Sequence, residues 1–330
     1  MRRYLVLAVV ALMLGSAAPT ALSPETVVPA VAAVARAPQP QSQPQLHVVP
    51  AGWSITLWTQ GSHVLRVDAL ENGAVLTIRQ EDRFRAATVT LPDAGRVTVN
   101  QLFDGLPARN PQRLDVTVVS GSLRYRAFRV GDHGRFLGGA TASKLRVLSV
   151  FGDSIAMGER TTGPLRDANG WADRLTARLP GYRLSENGRA GGGAWCWGQF
   201  HTGRVTSQQP RMVIVAFGVV DTQTFGDCHA NLAQFRGAMD HILTALRSGV
   251  APGVPIYVSA ILPSRNLGQA ERADYNDALA HAAGRHGCVY ADPSPAIEFP
   301  DDFVGGIHPN ATGHAKLARF WANHVSPPRA

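Results

Sequence analysis

The sequence predicts an α/β domain built on a parallel sheet, preceded by a small all-β sandwich. Three observations carry that prediction. Residues 53–130 alternate apolar and polar with a period of two and hold no helical pattern. Residues 143–330 alternate short continuous apolar runs with amphipathic segments at helical spacing. Between them, GDHGRFLGGATAS gathers glycine where neither period holds, which marks a change of module.

The elements follow in chain order. MRRYLVLAVVALMLGSAAPTALS (1–23) has two arginines, an apolar stretch and small residues after it, the layout of a secretory signal peptide. The Pro/Gln-rich residues 24–45 are too poor in apolar side chains to order themselves and read as a linker. In the β module, 46–135, HVLRVDAL and AVLTIRQ flank Glu71-Asn72-Gly73, which predicts a hairpin. ATVTL, RVTVN, LDVTVV and LRYRAFRV complete about six strands, enough for a sandwich. The module holds no reactive constellation and reads as a scaffold or glycan-facing accessory. In the second module LRVLSVF, YRLSEN, RMVIVAF, VPIYVSAIL and CVYAD read as strands. The intervening segments read as helices, the longest of them placing Leu232, Phe235, Met239, Leu243 and Leu246 on one face. A βα series of this kind requires a parallel sheet with helices on both faces.

Composition narrows the function. The chain has 330 residues and a formal charge of +8, carried almost wholly by arginine, since Lys144 and Lys316 are its only lysines. The arginines are scattered without a run or an aromatic-interleaved patch, so no nucleic-acid partner is expected; anionic surroundings such as a cell envelope or an acidic glycan are. Beyond the signal no segment is long and apolar enough to span a bilayer. The expected location is therefore extracytoplasmic, secreted or in the cell envelope. Export permits a disulfide, and three cysteines leave one over. Cys196 and Cys228 lie in loop-like sequence and are expected to pair. Cys288 begins an apolar run and is expected to be a buried free thiol. No C-x-x-C or C-x-x-H spacing suggests zinc, and neither metal nor organic cofactor is expected.

In open parallel sheets, chemistry gathers at the carboxyl ends of the strands. The first strand delivers Gly152-Asp153-Ser154, where a serine either caps a helix or attacks a substrate. The second delivers three consecutive glycines, Gly191 to Gly193, which let backbone N–H groups face an anion. Trp195 and Trp197 beside them either form an acyl or sugar wall or pack inside. Near the last helix, His308 stands in a loop from which it can meet Ser154 across the sheet edge. His201, His229 and His314 read as solvent-facing or structural.

GDSIAMG, the glycine-rich second loop and HPNATGH resemble the blocks of the SGNH (GDSL-type) hydrolases, over about Lys144 to Val325. The resemblance implies a flavodoxin-like three-layer α/β/α domain, placed here at 143–330. It implies Ser154 as nucleophile and oxyanion donor, Gly192 as a second N–H donor with Gly191 the alternative, and His308 as general base. Two positions depart from the family pattern. Val220 stands where the third block carries an oxyanion-hole asparagine, and Gly305 stands three before His308, where the fifth block carries the aspartate that orients the base. A backbone carbonyl near Gly305, or Asp301 or Asp302, is the expected substitute. Val220, Trp195 and Trp197 are expected to contact substrate.

The function implied is a secreted serine esterase that cleaves carboxylic esters through an acyl-enzyme, with short acyl groups on carbohydrate as the first substrate class. The alternatives are a degenerate domain that binds envelope glycan, and an O-acyltransferase. The sequence does not fix the oligomeric state.

Overall fold

Among the described residues, the period-two part of the first half forms nine strands in two antiparallel sheets in the computed structural model. It describes residues 45–330 except 61–64, 71–72, 81–84, 92–95, 100–110, 131–134, 159–169, 224–226 and 327–330. The expected signal peptide and all but residue 45 of the expected linker lie outside the described residues. The strands are β1 (His47–Pro50), β2 (Ser54–Gln60), β3 (Leu65–Leu70), β4 (Val75–Gln80), β5 (Arg85–Thr90), β6 (Arg96–Val99), β7 (Gln112–Ser120), β8 (Ser122–Val130) and β9 (Arg135–Phe136). One sheet runs β1-β8-β3-β6 and the other β5-β4-β7-β2-β9. Leu65, Val67 and Leu123 of the first meet Leu76, Ile78, Leu114 and Val116 of the second in one buried cluster. Alternation thus puts one face of every strand into a shared core.

The predicted hairpin is not formed. β3 pairs with β6 and β8, whereas β4 pairs with β5 and β7, so the chain crosses between sheets around Gly73. Glu71 and Asn72 lie outside the described residues. The physical reason is that Leu65 and Val67 bury themselves against Leu76 and Ile78 from opposite sheets, rather than side by side in one. The β7–β8 connection crosses in the same way at Gly121.

A short helix, α1 (Gly139–Ala142), leads into the second half. Its elements are β10 (Arg146–Gly152), α2 (Trp171–Thr176), β11 (Tyr182–Glu186), α3 (Thr202–Thr206), β12 (Met212–Ala216), α4 (Leu232–Gly249), β13 (Ile256–Ser259), α5 (Gln269–Arg285), β14 (Val289–Ala291), β15 (Phe303–Val304), β16 (His308–Pro309) and α6 (Ala311–His324). Five strands form a parallel sheet ordered β11-β10-β12-β13-β14. Continuous burial of β10 to β13 is what a sheet covered on both faces demands. α2 packs with α6, and α4 packs with α3 and α5. The order reverses at β10, leaving a crevice beyond the carboxyl ends of β10 and β12.

Local sequence sets these helices. α4 buries Phe235, Met239, Ile242, Leu243 and Leu246, as its spacing predicts, and starts at an Asn231/Gln234 capping box. α6 is capped by the Asn310 side chain, which accepts from the N–H groups of Thr312 and Gly313. Trp171 of α2 stacks on Trp321 of α6 at 5.8 Å, and its indole N–H donates to the carbonyl of Ile155. This helical layer thereby supports the turn that follows β10. Between the halves, the Arg183 guanidinium of β11 lies 5.1 Å from the centre of the Trp58 ring of β2.

Candidate active site

Ser154 lies two residues beyond β10, inside a turn rather than at the start of a described helix. The turn is held by the Met157 N–H on the Asp153 carbonyl, 3.2 Å. Local capping falls to Asp153, whose Oδ1 accepts the Ile155 N–H at 2.9 Å. The Ser154 hydroxyl is left to face His308 instead, with Oγ 2.9 Å from Nε2. Of the two readings open for this serine, the structure does not show capping.

His308 is presented by a two-stranded ribbon in which Val304 pairs with His308 and Phe303 with Pro309. The connecting Gly305 and Gly306 both have left-handed backbone, φ 62° and 69°. Asp302, a candidate to orient the imidazole, is committed elsewhere. Its buried Oδ2 accepts from Lys316 Nζ at 2.8 Å and from the Glu298 N–H at 2.7 Å. Burial works to raise this carboxyl, but the Lys316 ammonium and the Glu298 N–H outweigh it and hold it below the usual carboxylate range. Asp301 is exposed, and its carbonyl accepts from the Asn310 amide. The chain holding His308 is thus anchored through Lys316 and through Asn310, one residue ahead of α6.

Ser154 and His308 lie in a cleft of about 370 Å³, together with Gly191, Val219, Val220 and Cys228. Val220 is half-buried and lines the cleft. The expected donor Gly192 is a correction. It is buried, and its N–H closes a turn on the Arg189 carbonyl at 3.0 Å. Gly191, the alternative, occupies the third position of that turn with φ 70° and lines the cleft. Among the described residues, the N–H groups of Ser154 and Gly191 donate to no other protein group. Both residues line the cleft that holds the hydroxyl.

The tryptophans are a second correction. Trp197 is 3% exposed and packs among Phe151, Phe217 and His201 with Arg204 over its ring. Trp195 is half-buried against the same core. Neither is among the residues that line the cleft, whose aliphatic wall is Val219, Val220 and Ile307. His314 is fully buried and accepts the Trp171 N–H, and His229 is exposed, so neither approaches Ser154 as His308 does.

Asp221 is the residue whose part the sequence left unassigned. Fully buried, its two oxygens accept the N–H groups of Ala194 and Trp195, each at 2.9 Å. Burial pushes its carboxyl up to about 6 against the pull of these N–H groups; burial likewise pushes Asp153 up to about 7. A β-carbon on Gly193 would lie 2.8 Å from Asp221 Oδ1, so only glycine admits the carboxylate. Cys196 and Cys228 form the disulfide that the sequence led us to expect, and Cys288 is a half-buried free thiol. Burial raises that thiol's pKa. Among the described residues no cluster could hold a metal ion, and no helix is long and apolar enough to cross a membrane.

Residues 150–316 match the family model described as GDSL-like lipase/acylhydrolase. No curated protein matches the chain. Similar solved structures include a family two carbohydrate esterase from Clostridium thermocellum in complex with cellohexaose, at 17% identity and a TM-score of 0.49, covering 84% of this chain and 92% of that one. A family 2 carbohydrate esterase with a carbohydrate binding domain, from Corynascus thermopiles (Myceliophthora fergusii), is similar at 17% identity and a TM-score of 0.49, covering 84% of this chain and 98% of that one. A carbohydrate acetylesterase from Sinorhizobium meliloti is similar at 18% identity and a TM-score of 0.46, over 54% of this chain and 97% of that one.

Proposed function

The chain belongs to the GDSL-like lipase/acylhydrolase family, and on that premise we propose that it hydrolyses carboxylic esters through Ser154 and His308. The observation that carries this reading is the 2.9 Å approach of the Ser154 hydroxyl to His308 Nε2, inside a cleft at the carboxyl edge of the sheet. Ser154 Oγ attacks the ester carbonyl carbon as His308 Nε2 takes its proton. The carbonyl oxygen becomes an oxyanion facing the N–H groups of Ser154 and Gly191. The imidazolium then protonates the departing alkoxide, leaving an acyl-serine. His308 next takes a proton from water, the hydroxide attacks the acyl carbon, and the proton returns to Ser154 Oγ as the acid leaves.

The cleft supports short acyl groups. Its volume of about 370 Å³ is at the small end for ligand pockets, and Val219, Val220 and Ile307 give it an aliphatic wall. The exposed Asp227 supplies a carboxylate suited to sugar hydroxyls, which makes acylated carbohydrate the substrate class of choice. The Cys196–Cys228 pair supports a place outside the reducing cytoplasm, in the cell envelope or secreted.

The test is covalent capture. The purified chain should hydrolyse p-nitrophenyl acetate, and diisopropyl fluorophosphate should inactivate it while adding its phosphoryl mass to the peptide holding Ser154. Hydrolysis with Ser154 unlabelled, or no hydrolysis of any short-chain ester, overturns the proposal. The second outcome would favour the glycan-binding alternative.

Val220 yields a separate prediction. Losing one oxyanion donor costs a serine hydrolase roughly 10²–10³ in rate. Val220→Asn puts an amide on the cleft wall, and kcat for p-nitrophenyl acetate should rise by about tenfold, less than an evolved donor supplies. A folded variant that is no faster would mean that the two backbone donors already suffice.

A further inference from the structure

In the proposed mechanism, with valine at position 220 on the cleft wall, stabilisation of the oxyanion falls on backbone N–H groups, one of them from the glycine-rich loop. A backbone donor is only as useful as its loop is fixed, because the gain comes from a dipole already in place when charge develops. The loop has no regular secondary structure from Asn187 to Trp197. Two cross-links nonetheless tie it to the segment after β12. The buried Asp221 carboxylate holds the Ala194 and Trp195 N–H groups, and the next residue, Cys196, is bonded to Cys228. Asp221 is tied in turn at its own end, where its carbonyl accepts the Ala230 N–H at 2.9 Å. Gly193 sits between the donor and the clamp, its N–H 3.2 Å from Cys196 Sγ and its Cα against the carboxylate.

The same two segments build much of the cleft. One brings Ala190 and Gly191; the other brings Val219, Val220, Gln223 and Cys228. We infer that Asp221 and the Cys196–Cys228 disulfide are positioning groups for ester hydrolysis, which hold the Gly191 N–H where the oxyanion forms. The inference rests on Ser154 being the nucleophile. It assigns the disulfide to catalysis, through the placement of a donor that does the work of a missing side chain. Neither Asp221 nor the sulfurs needs to touch the reacting atoms.

The experiment reduces the folded full-length chain with a phosphine and follows p-nitrophenyl acetate hydrolysis, with circular dichroism to confirm that the fold persists. A misplaced donor weakens the transition state more than the ground state. Reduction should therefore lower kcat by about tenfold or more while KM stays within about twofold, since displacements near 1 Å can cost up to 10² in rate. The inhibition constant for phenylboronic acid, which forms a tetrahedral adduct on the serine, should rise by the same factor. Should reduction melt the chain, Asp221→Asn carries the test, because it keeps the disulfide and the side-chain volume but replaces one acceptor with a donor. Ser154→Ala separates the two failures. If that variant hydrolyses the ester at or near the parental rate, the proposed function fails and takes the inference with it. If it loses most of the parental rate, yet reduced protein or Asp221→Asn keeps kcat and boronate affinity, or changes KM alone, the inference alone is overturned.

Discussion

Ser154→Ala and His308→Ala are each expected to lower kcat for ester hydrolysis by about 10⁴–10⁶, and the double variant should be no slower than the worse single one. The reason is that in the proposed mechanism the hydroxyl and the imidazole act in one step. Without the base the hydroxyl is a weak nucleophile, and without the hydroxyl the base has no proton to take. Their Oγ–Nε2 separation of 2.9 Å makes them one unit, so the losses do not multiply. Stability should move little, because Ser154→Ala removes one partly buried hydrogen bond, worth about 1 kcal/mol. Residual hydrolysis in both variants should exceed the uncatalysed rate, since the proposed backbone donors remain. Losses that multiply in the double variant, or a His308→Ala enzyme of parental rate, would mean that the two residues do not share a step.

The predicted size of the His308 effect also bears on Gly305. Elsewhere in the family a carboxylate three residues earlier orients the base; here that position is a left-handed turn residue, and the nearby Asp302 is neutralised by Lys316. The segment that carries His308 is instead held by the ribbon. Val304 pairs with His308, and Asn310 caps α6 with its side chain while its amide reaches the Asp301 carbonyl. The backbone around His308 is thus held on both sides.

Much of this was legible in the sequence, for a physical reason. Patterns local to one element survive in the linear order. The buried run LRVLSVF ending in glycine, the one-sided apolar face of α4 and the loop character around Cys196 and Cys228 each reflect contacts of their own segment. The pairing of β3 and β4 is not local. Alternation fixes which side chains point inward but not whether two strands share a sheet or oppose each other across a core, and here they oppose. The same limit applies to the glycine-rich loop. Counting from Asn187 selects Gly192, but the turn closed by the Arg189 carbonyl consumes that N–H and leaves Gly191 facing the cleft. Trp195 and Trp197 look like a ligand wall in sequence because they flank a glycine run; their rings find the core instead. Asp221 carried one usable signal, an acid at the end of the apolar run from Met212 to Val220, where an unpaired charge is costly and a backbone clamp is one remedy.

Gly152→Ala should be the most destructive single-carbon change in the catalytic half. A β-carbon there would press into the Ala216 carbonyl oxygen and lie 2.8 Å from the Ala156 side chain. The first obstacle is backbone in the neighbouring strand, because Gly152 and Ala216 are register partners at the end of β10 and β12. A flexible side chain could swing aside, but a carbonyl in the middle of a five-stranded sheet cannot. Relief requires splaying the two central strands or rotating the turn that begins at Asp153. Overpacking of this kind costs about 3 kcal/mol or more, which for a chain this size lowers Tm by roughly 6–12 °C. Activity should fall further than stability explains, even at temperatures where the variant is folded, because Ser154 lies two residues downstream of the clash and its approach to His308 is set by that turn. Gly237→Ala is the matched control. It adds the same methyl group on the exposed side of α4, where a β-carbon would meet nothing within 4 Å, and it should stabilise by about 0.5–1 kcal/mol with unchanged kcat. Equal Tm values for the two variants would mean that the β10–β12 edge is loose, and a loose edge could not hold the serine against the histidine.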